Sequence, residues 1–332
     1  MRREQEEARR KEQREQDRKV HNAAMDRIRE YEPKLGRTTF TRIYFCNLSK
    51  FNLDEESPIG PMRYTNADAL SVKIASSDDD VGKQFIPGIS ANVLTVKIAS
   101  SDVGFPVDVY GTVIARDSLD RKCVYLFKCD RDHCQHITSK DNLLILTGPK
   151  RGLALIDGIY FEVDLKIKGG RGQKDKQFSK GLLTLDDRPA ILEDRVVGRG
   201  SLDTRLSKVV ITYAVVKRAI EATIAIEVLQ GRFSGLITAC TTSIKDSIVL
   251  HDSKVTKAMA SDAKGAIQLL RRVVSVCLKE KLVVTIAART GVKSTIKFTP
   301  RVNGGDENEV TCGSIKMRLK VTWSIISYDR FL

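Results

Sequence analysis

Two thiols and two imidazoles fall within eight residues at Cys129, His133, Cys134 and His136, the densest set of metal-ligating donors in the chain. Thiolate and neutral imidazole are the ligands zinc prefers. The spacing matches none of the paired-cysteine knuckles, and no second CxxC or HxxxH lies elsewhere to complete a site. His133 and Cys134 are adjacent and would point to opposite faces of a strand. A polar loop between strands accounts for the same residues, so neither a metal nor a cofactor is expected.

His251, Asp252 and Ser253 set three triad residue types side by side, but triads are assembled in space, and no GxSxG elbow accompanies them. No GxxxxGK[ST], no GxGxxG opening a helix, no HExxH and no EF-hand loop occurs either. Thr147 to Gly152 reads TGPKRG, two glycines flanking two cations. Such a turn could hold an anion on its amides. Pro149 at the corner of a hairpin between Leu143–Leu146 and Leu153–Ile167 explains it as turn chemistry.

Cations gather in Lys166, Lys168, Arg171, Lys174, Lys176 and Lys180 against a single acid, Asp175. These six are the candidate polyanion-binding residues. Phe178 is the only aromatic among them, so the stacking platform of a single-strand binder is missing there. Lys316, Arg318 and Lys320 alternate along the last strand and would share one face of it. Both groups suit phosphate contact, which positions a nucleic acid without reading its bases. The formal charge of +14 agrees with such a partner, although it speaks to non-specific association and not to fold.

The elements that must carry these residues are mostly strands. From Leu94 onward, runs rich in Val, Ile and Thr alternate with turn residues at sandwich-like spacing. The run 208–229 reads as two strands bent into a hairpin near Lys217 to Glu221. Its Ala and Glu content keeps a helix as the alternative. The stretches 186–204 and 299–314 read as loops. Upstream, Leu70 to Asp78 repeats Leu94 to Asp102 with eight of nine positions identical. A repeat seen twice is no solenoid, so the first copy is expected to add an edge strand or lie on the surface. Thr41 to Cys46 is a further strand candidate.

Residues 1–32 carry ten Lys or Arg and nine Asp or Glu, so this nearly neutral segment does not supply the net charge. Glu7 before Lys11 and Glu15 before Lys19 support a helix. Val20, Ala24, Ile28 and Tyr31 form its only apolar stripe, and Pro33 and Gly36 are expected to end it. No run of about 18 apolar residues occurs, so no transmembrane helix is expected. Neither a secretory core nor a transit-peptide composition is found at the N-terminus. With seven irregularly spaced cysteines, the expectation is reduced thiols and a cytoplasmic protein with the nucleus open to it.

Three stretches, ASSDVGFPVDVYGTVIARDSLD, LTGPKRGLALIDGIYFEVDLKIKG and RLSKVVITYAVVKRAIEATIAIEV through TTSIKDSIVLHDS, together resemble a β-rich domain of unknown function abundant in cereal grasses. The resemblance covers about Leu94 to the C-terminus and implies a β body, with no activity attached. It raises one enzyme, because such domains are described beside or fused to ribosome-inactivating rRNA N-glycosidases. Those enzymes carry a helix with a catalytic Glu and an Arg three residues on. Here Glu221-Ala-Thr-Ile224 has Ile at the place of the Arg, so the activity is not carried over.

The sequence therefore predicts a mainly β protein, an antiparallel sandwich-like body preceded by an exposed charged N-terminal helix. Residues 1–36 form the helical arm, ordered or not. Residues 37–93 form a loop-rich leader, and 94–331 the β domain, with sub-lobes 94–186 and 205–331 as an alternative division. The expected function is a non-enzymatic interaction module of a plant protein, stress- or defence-related by association, with an unidentified protein partner. Phosphate-driven binding of RNA or another polyanion through the basic loops is the alternative.

Overall fold

The computed structural model describes residues 2–62, 73–74, 84–85, 88–170, 172–185, 197–255 and 265–326. It opens with α1 (Arg2–Ile28), then β1 (Arg29–Glu32) and β2 (Arg37–Phe40), which pair as an antiparallel ribbon. The helix has no Gly or Pro and is bridged by Arg10 to Glu6 at 2.7 Å and Gln13 to Asp17 at 2.8 Å, both four residues apart. Its first half is exposed, and only its last turns dock. The docked side is His21, Ala24 and Ile28, while Val20 and Tyr31 of the expected apolar stripe are exposed. Pro33 and Gly36 do not end the helix. They turn the β1–β2 ribbon, where Gly36 adopts a φ of +61° open to glycine. The following residues 41–46, expected as a strand, are irregular, because the Ile43 amide is claimed by the Glu162 carboxylate at 3.0 Å.

Of the first repeat copy, only Lys73 and Ile74 are described. They form β3 (Lys73–Ile74), parallel to β4 (Gln84–Phe85). The rest of that copy lies outside the described residues.

The first core is enclosed by two antiparallel sheets drawn from nine strands: β5 (Ser90–Ser101), β6 (Val107–Arg116), β7 (Val124–Cys129), β8 (Gln135–Ile137), β9 (Leu153–Ala154), β10 (Ile159–Ile167), β11 (Lys176–Leu185), β12 (Val197–Thr204) and β13 (Ser207–Val216). One sheet runs β11-β10-β6-β7 with β8 also on β6, and the other runs β12-β13-β5-β9. Val93, Val96, Val113, Phe161 and Ile211 meet between them, all fully buried. Alternation in β5 changes parity midway: Ala91 and Val93 face this core, then Val96 and Ile98 do. Leu94 is the extra residue of a bulge, skipped where Val93 pairs Tyr213 and Thr95 pairs Thr212. The bulge keeps both halves of β5 on one core and turns Leu94 into the other. β12 arises where the sequence reads as loop. Its Gly198 and Gly200 are poor strand formers, but side chains there would collide with Tyr213 and Leu183.

The second core is built likewise from β14 (Ala219–Gln230), β15 (Gly235–Thr241), β16 (Ile248–Asp252), β17 (Val273–Cys277), β18 (Leu282–Ala288), β19 (Lys293–Phe298), β20 (Gly304–Cys312) and β21 (Ile315–Ile325). Sheets β17-β14-β21-β20 and β16-β15-β18-β19 enclose Ile224, Ile237, Val284, Leu319 and Trp323. The run 208–229 is indeed two strands bent at Lys217 and Arg218, but not a hairpin. β13 pairs with β5 and β12, whereas β14 pairs with β17 and β21, so the bend carries the chain from one core to the next. Ala214 and Val216 on β13 already belong to the second core.

The two cores are stitched by polar groups. Asn92 on β5 mimics a strand for Ser275 on β17, donating to its carbonyl at 2.8 Å and accepting its amide at 2.9 Å. The TGPKRG segment is the stronger clasp and not a hairpin corner. Residues 143–146 run beside β5 with one isolated bridge, Lys97 to Leu143, so there is no strand there for a hairpin to return from. Arg151 is 1% exposed and forks onto Asp117, Nη1 to Oδ2 at 2.5 Å and Nη2 to Oδ1 at 2.9 Å. The next amide, Gly152, donates to Glu221 on β14 at 2.6 Å. Asp117→Ala strips the carboxylate from this buried guanidinium, and urea unfolding is expected to show a loss of roughly 3–5 kcal/mol.

Candidate functional site

The tip of the β10–β11 hairpin carries a group of cations without ion pairs among the described residues. Its register closes at Ile167 opposite Lys176, and residues 168–175 make the turn, with Arg171 outside the described residues. Lys166, Lys174 and Lys176 are exposed and Lys168 half-buried, and none forms an ion pair among the described residues. The one acid of the loop is occupied. Asp175 accepts from Arg131 Nε at 2.7 Å and Nη2 at 3.1 Å, from the Tyr110 hydroxyl at 2.6 Å and from the Gly169 amide at 3.0 Å. Arg131 first, then Tyr110 and the Gly169 amide, hold its carboxyl well below the usual range. The acid thus fixes the loop and leaves the lysines facing outward.

The other candidate cations are placed differently. Lys180 pairs with Glu30 of β1 at 2.5 Å, beside Arg205 on the same carboxylate at 2.6 Å, so it fastens the leader. Phe178 is fully buried in the first core. Lys316, Arg318 and Lys320 do share a face, but β20, read as loop in the sequence, lays an acidic strand against them. Lys316 meets Glu309 at 2.6 Å, Arg318 meets Glu307 at 3.0 Å, and Lys320 lies opposite Glu307 in register. That compensation lowers the charge this second group presents to phosphate.

Cys129, His133, Cys134 and His136 are not gathered on a common point. The Cys129 thiol donates to the His133 carbonyl, the His133 ring pairs with Asp130 at 2.9 Å, and the His136 ring pairs with Asp108 on β6 at 2.8 Å. No cluster of three or more His, Cys, Asp or Glu able to hold a metal occurs among the described residues. His251 does reach Ser253, Nε2 to Oγ at 3.1 Å, but its other nitrogen meets the Gln268 carbonyl and not Asp252. Glu221 lies on a strand, 4% exposed, its oxygens taking the Met62 and Gly152 amides at 2.7 and 2.6 Å.

Two concave places were not legible in the sequence, because residues of the leader form one wall of each. A cleft of about 550 Å³ lies between the leader and the outer face of β6 and β10. Its buried acid is satisfied by arginines. Glu162, 4% exposed, accepts from Arg116 at 2.7 and 2.9 Å, from Arg42 at 3.0 Å and from the Ile43 amide. The second is a more open groove of about 600 Å³ between α1 and residues 44–50. Tyr44 and Phe45, each 42% exposed, look into it, stacked on Phe40 at 4.1 Å and against Tyr160 at 4.4 Å respectively. Arg14 and Arg18 flank the rings without an ion pair among the described residues, and Lys50 lies 3.6 Å from Asp17. The signal missed was FTRIYF at Phe40 to Phe45, aromatics in a segment assigned to a strand.

A family model described as a domain of unknown function (DUF6598) matches residues 90–321, from the start of β5 into β21. No curated protein matches the chain. Among solved structures, the paired C2 domains, A and B, of extended synaptotagmin 2 align over 78% of this chain and 98% of that one, at 6% identity and a TM-score of 0.25. The calcium-bound form aligns over 74% and 100% at 7% identity and a TM-score of 0.23. The longer fragment that adds the SMP domain aligns over 74% and 60%, also at 7% and 0.23. At these TM-scores the likeness carries no argument. No helix among the described residues is long and apolar enough to cross a membrane.

Burial and then its hydrogen bond to Asp175 push the Tyr110 hydroxyl up to about 12. In Asp175→Asn the acceptor loses its charge, so Tyr110 is expected to ionise at lower pH, back toward about 10. The Gly169 amide is expected to exchange faster. A ring-resolved NMR titration and hydrogen exchange check both.

Proposed function

The chain belongs to the DUF6598 family of domains of unknown function, a membership that assigns no activity, and from that premise we propose a non-enzymatic binding module that holds polyanions by phosphate contact. The observation that carries this reading is the uneven distribution of compensated charge. Lys316 and Arg318 have carboxylate partners, and so does Lys180. Lys166, Lys168, Lys174 and Lys176 have none among the described residues, on a loop whose own acid is tied down. Pre-ordered cations lose less entropy on meeting phosphate than mobile ones do.

The groove beside α1 favours a single-stranded nucleic acid among the polyanions. It sets half-exposed Tyr44 and Phe45 beside Arg14 and Arg18, and stacking on such rings is what bare charge cannot supply. In this reading the body from 94 to 331 contributes phosphate contacts, and the arm (1–36) and leader (37–93) contribute the groove. The resemblance to the cereal-grass domain supports a plant cytoplasmic setting with a stress or defence role.

Fluorescence anisotropy of labelled oligouridylate against ionic strength tests the proposal. The logarithm of affinity is expected to fall linearly with the logarithm of salt. Changing Lys166, Lys168, Lys174 and Lys176 together to Gln is expected to reduce the slope by roughly 0.7 for each phosphate that is no longer neutralised. Tyr44→Ala is expected to weaken oligouridylate and leave heparin unchanged. A flat salt response sinks the proposal. Heparin and oligouridylate responding alike to Tyr44→Ala removes the groove from it and leaves the lysines.

A further inference from the structure

Arg271 is a buried charge without a counter-charge among the described residues. It is 4% exposed, just ahead of β17, and its Nη2 donates to the Val93 carbonyl at 2.6 Å, next to the bulge at Leu94. Its Nε is buried with no hydrogen-bond partner. The other deeply buried guanidiniums differ, since Arg116 meets Glu162 and Arg151 meets Asp117. Arg271 has no carboxylate partner among the described residues, and burial alone holds its pKa down to about 10. A charged group left so costs several kcal/mol unless something compensates it.

Arg271 lines a pocket of about 290 Å³ where the two cores meet. Leu94 and Leu144 come from the first half of the chain and Val249 and Leu270 from the second. Leu143, Val249 and Val255, also in its lining, are among the few large apolar side chains left exposed, at 44, 38 and 38%. Asp141 and Asp252 border the same space, but neither pairs with Arg271. The volume is at the small end of ligand pockets. A largely apolar wall around one guanidinium that has a carbonyl but no carboxylate partner among the described residues is complementary to a small molecule with an apolar body and one anionic end.

We propose that this pocket binds a small apolar monocarboxylate, its carboxylate on Arg271 and its hydrocarbon against Leu94, Leu144, Val249 and Leu270. The site is separate from the lysine tip and the aromatic groove, so the inference does not depend on the polyanion reading. The Leu94 bulge builds it, because the residue that leaves the first core becomes a wall of the pocket and its neighbour's carbonyl anchors the guanidinium.

Isothermal titration of the full chain with octanoate, and with octan-1-ol as the uncharged match, tests the site. Octanoate is expected to bind at least tenfold more tightly than octan-1-ol. Arg271→Met, which keeps the volume and removes the charge, is expected to weaken octanoate at least tenfold and to leave octan-1-ol within twofold. Val249→Glu, at a half-exposed strand position that tolerates a charge, is expected to weaken octanoate comparably and serves if Arg271→Met does not fold. No octanoate binding, equal binding of acid and alcohol, or octanoate affinity unchanged in either variant overturns the proposal.

Discussion

The bidentate pair between Arg151 and Asp117 is the constraint on which the rest of the body depends. Asp117 follows the last residue of β6, and its second task is to accept the amide of Ala154 in β9 at 2.9 Å. One residue on from Arg151, Gly152 is pressed against Ile326 and Glu221, where a Cβ would lie 2.9 Å from an Ile326 carbon. The short run 151–154 therefore joins the end of β6, the start of β5 and the start of β14. A buried ion pair is weak evidence for stability in itself, since an apolar pair of the same shape often does as well. Its directional geometry, however, fixes the run 151–154, whose Gly152 amide reaches Glu221 on β14 of the second core.

A second hub, Glu162, does for the leader what Asp117 does for the body. It gathers Arg116 from β6 and Arg42 and the Ile43 amide from the leader. Arg116 continues to the carbonyls of Arg121 and Leu53. The outer face of β10 would otherwise be an open sheet surface. The leader covers it with hydrogen-bonded charge, so the polar lining of the cleft there has a structural occupation already. The cleft therefore already uses its buried acid within the fold, whereas Tyr44 and Phe45 of the groove, packed on Phe40 and Tyr160, still leave part of their surface exposed.

Charge is thus sorted by the fold. The same lysine and arginine types serve as clasps at Arg151 and Arg205, as members of an acidic-basic ladder on β20 and β21, and as free cations at the hairpin tip. Net charge cannot distinguish these fates. What distinguishes them is whether a carboxylate is brought within hydrogen-bond distance, and at the tip the loop's own acid, Asp175, is taken by Arg131, Tyr110 and the Gly169 amide.

The sequence alone determined the class of structure. Alternation of β-branched residues from Leu94 on carried the strands, and Ser207–Val216, Leu282–Ala288 and Lys293–Phe298 fell where the alternation ended. Such alternation is a local property, because side chains on a strand change face at every residue whatever they later touch. The acidic strand β20 and the glycine-bearing β12 escaped it, since an edge strand is held by its neighbour's backbone and needs no apolar face of its own. The charged helix was legible for the same local reason, but its docked side was not, because His21 and Ala24 meet a surface built by residues far along the chain. Only the tertiary structure decided which cations lack an ion pair among the described residues, which rings are exposed, and that Arg271 faces a largely apolar pocket without a carboxylate paired to it among the described residues. Those facts depend on pairs separated by tens to hundreds of residues, such as Lys180 with Glu30 or Arg271 with Val93, and spacing along the sequence holds no record of distance in space.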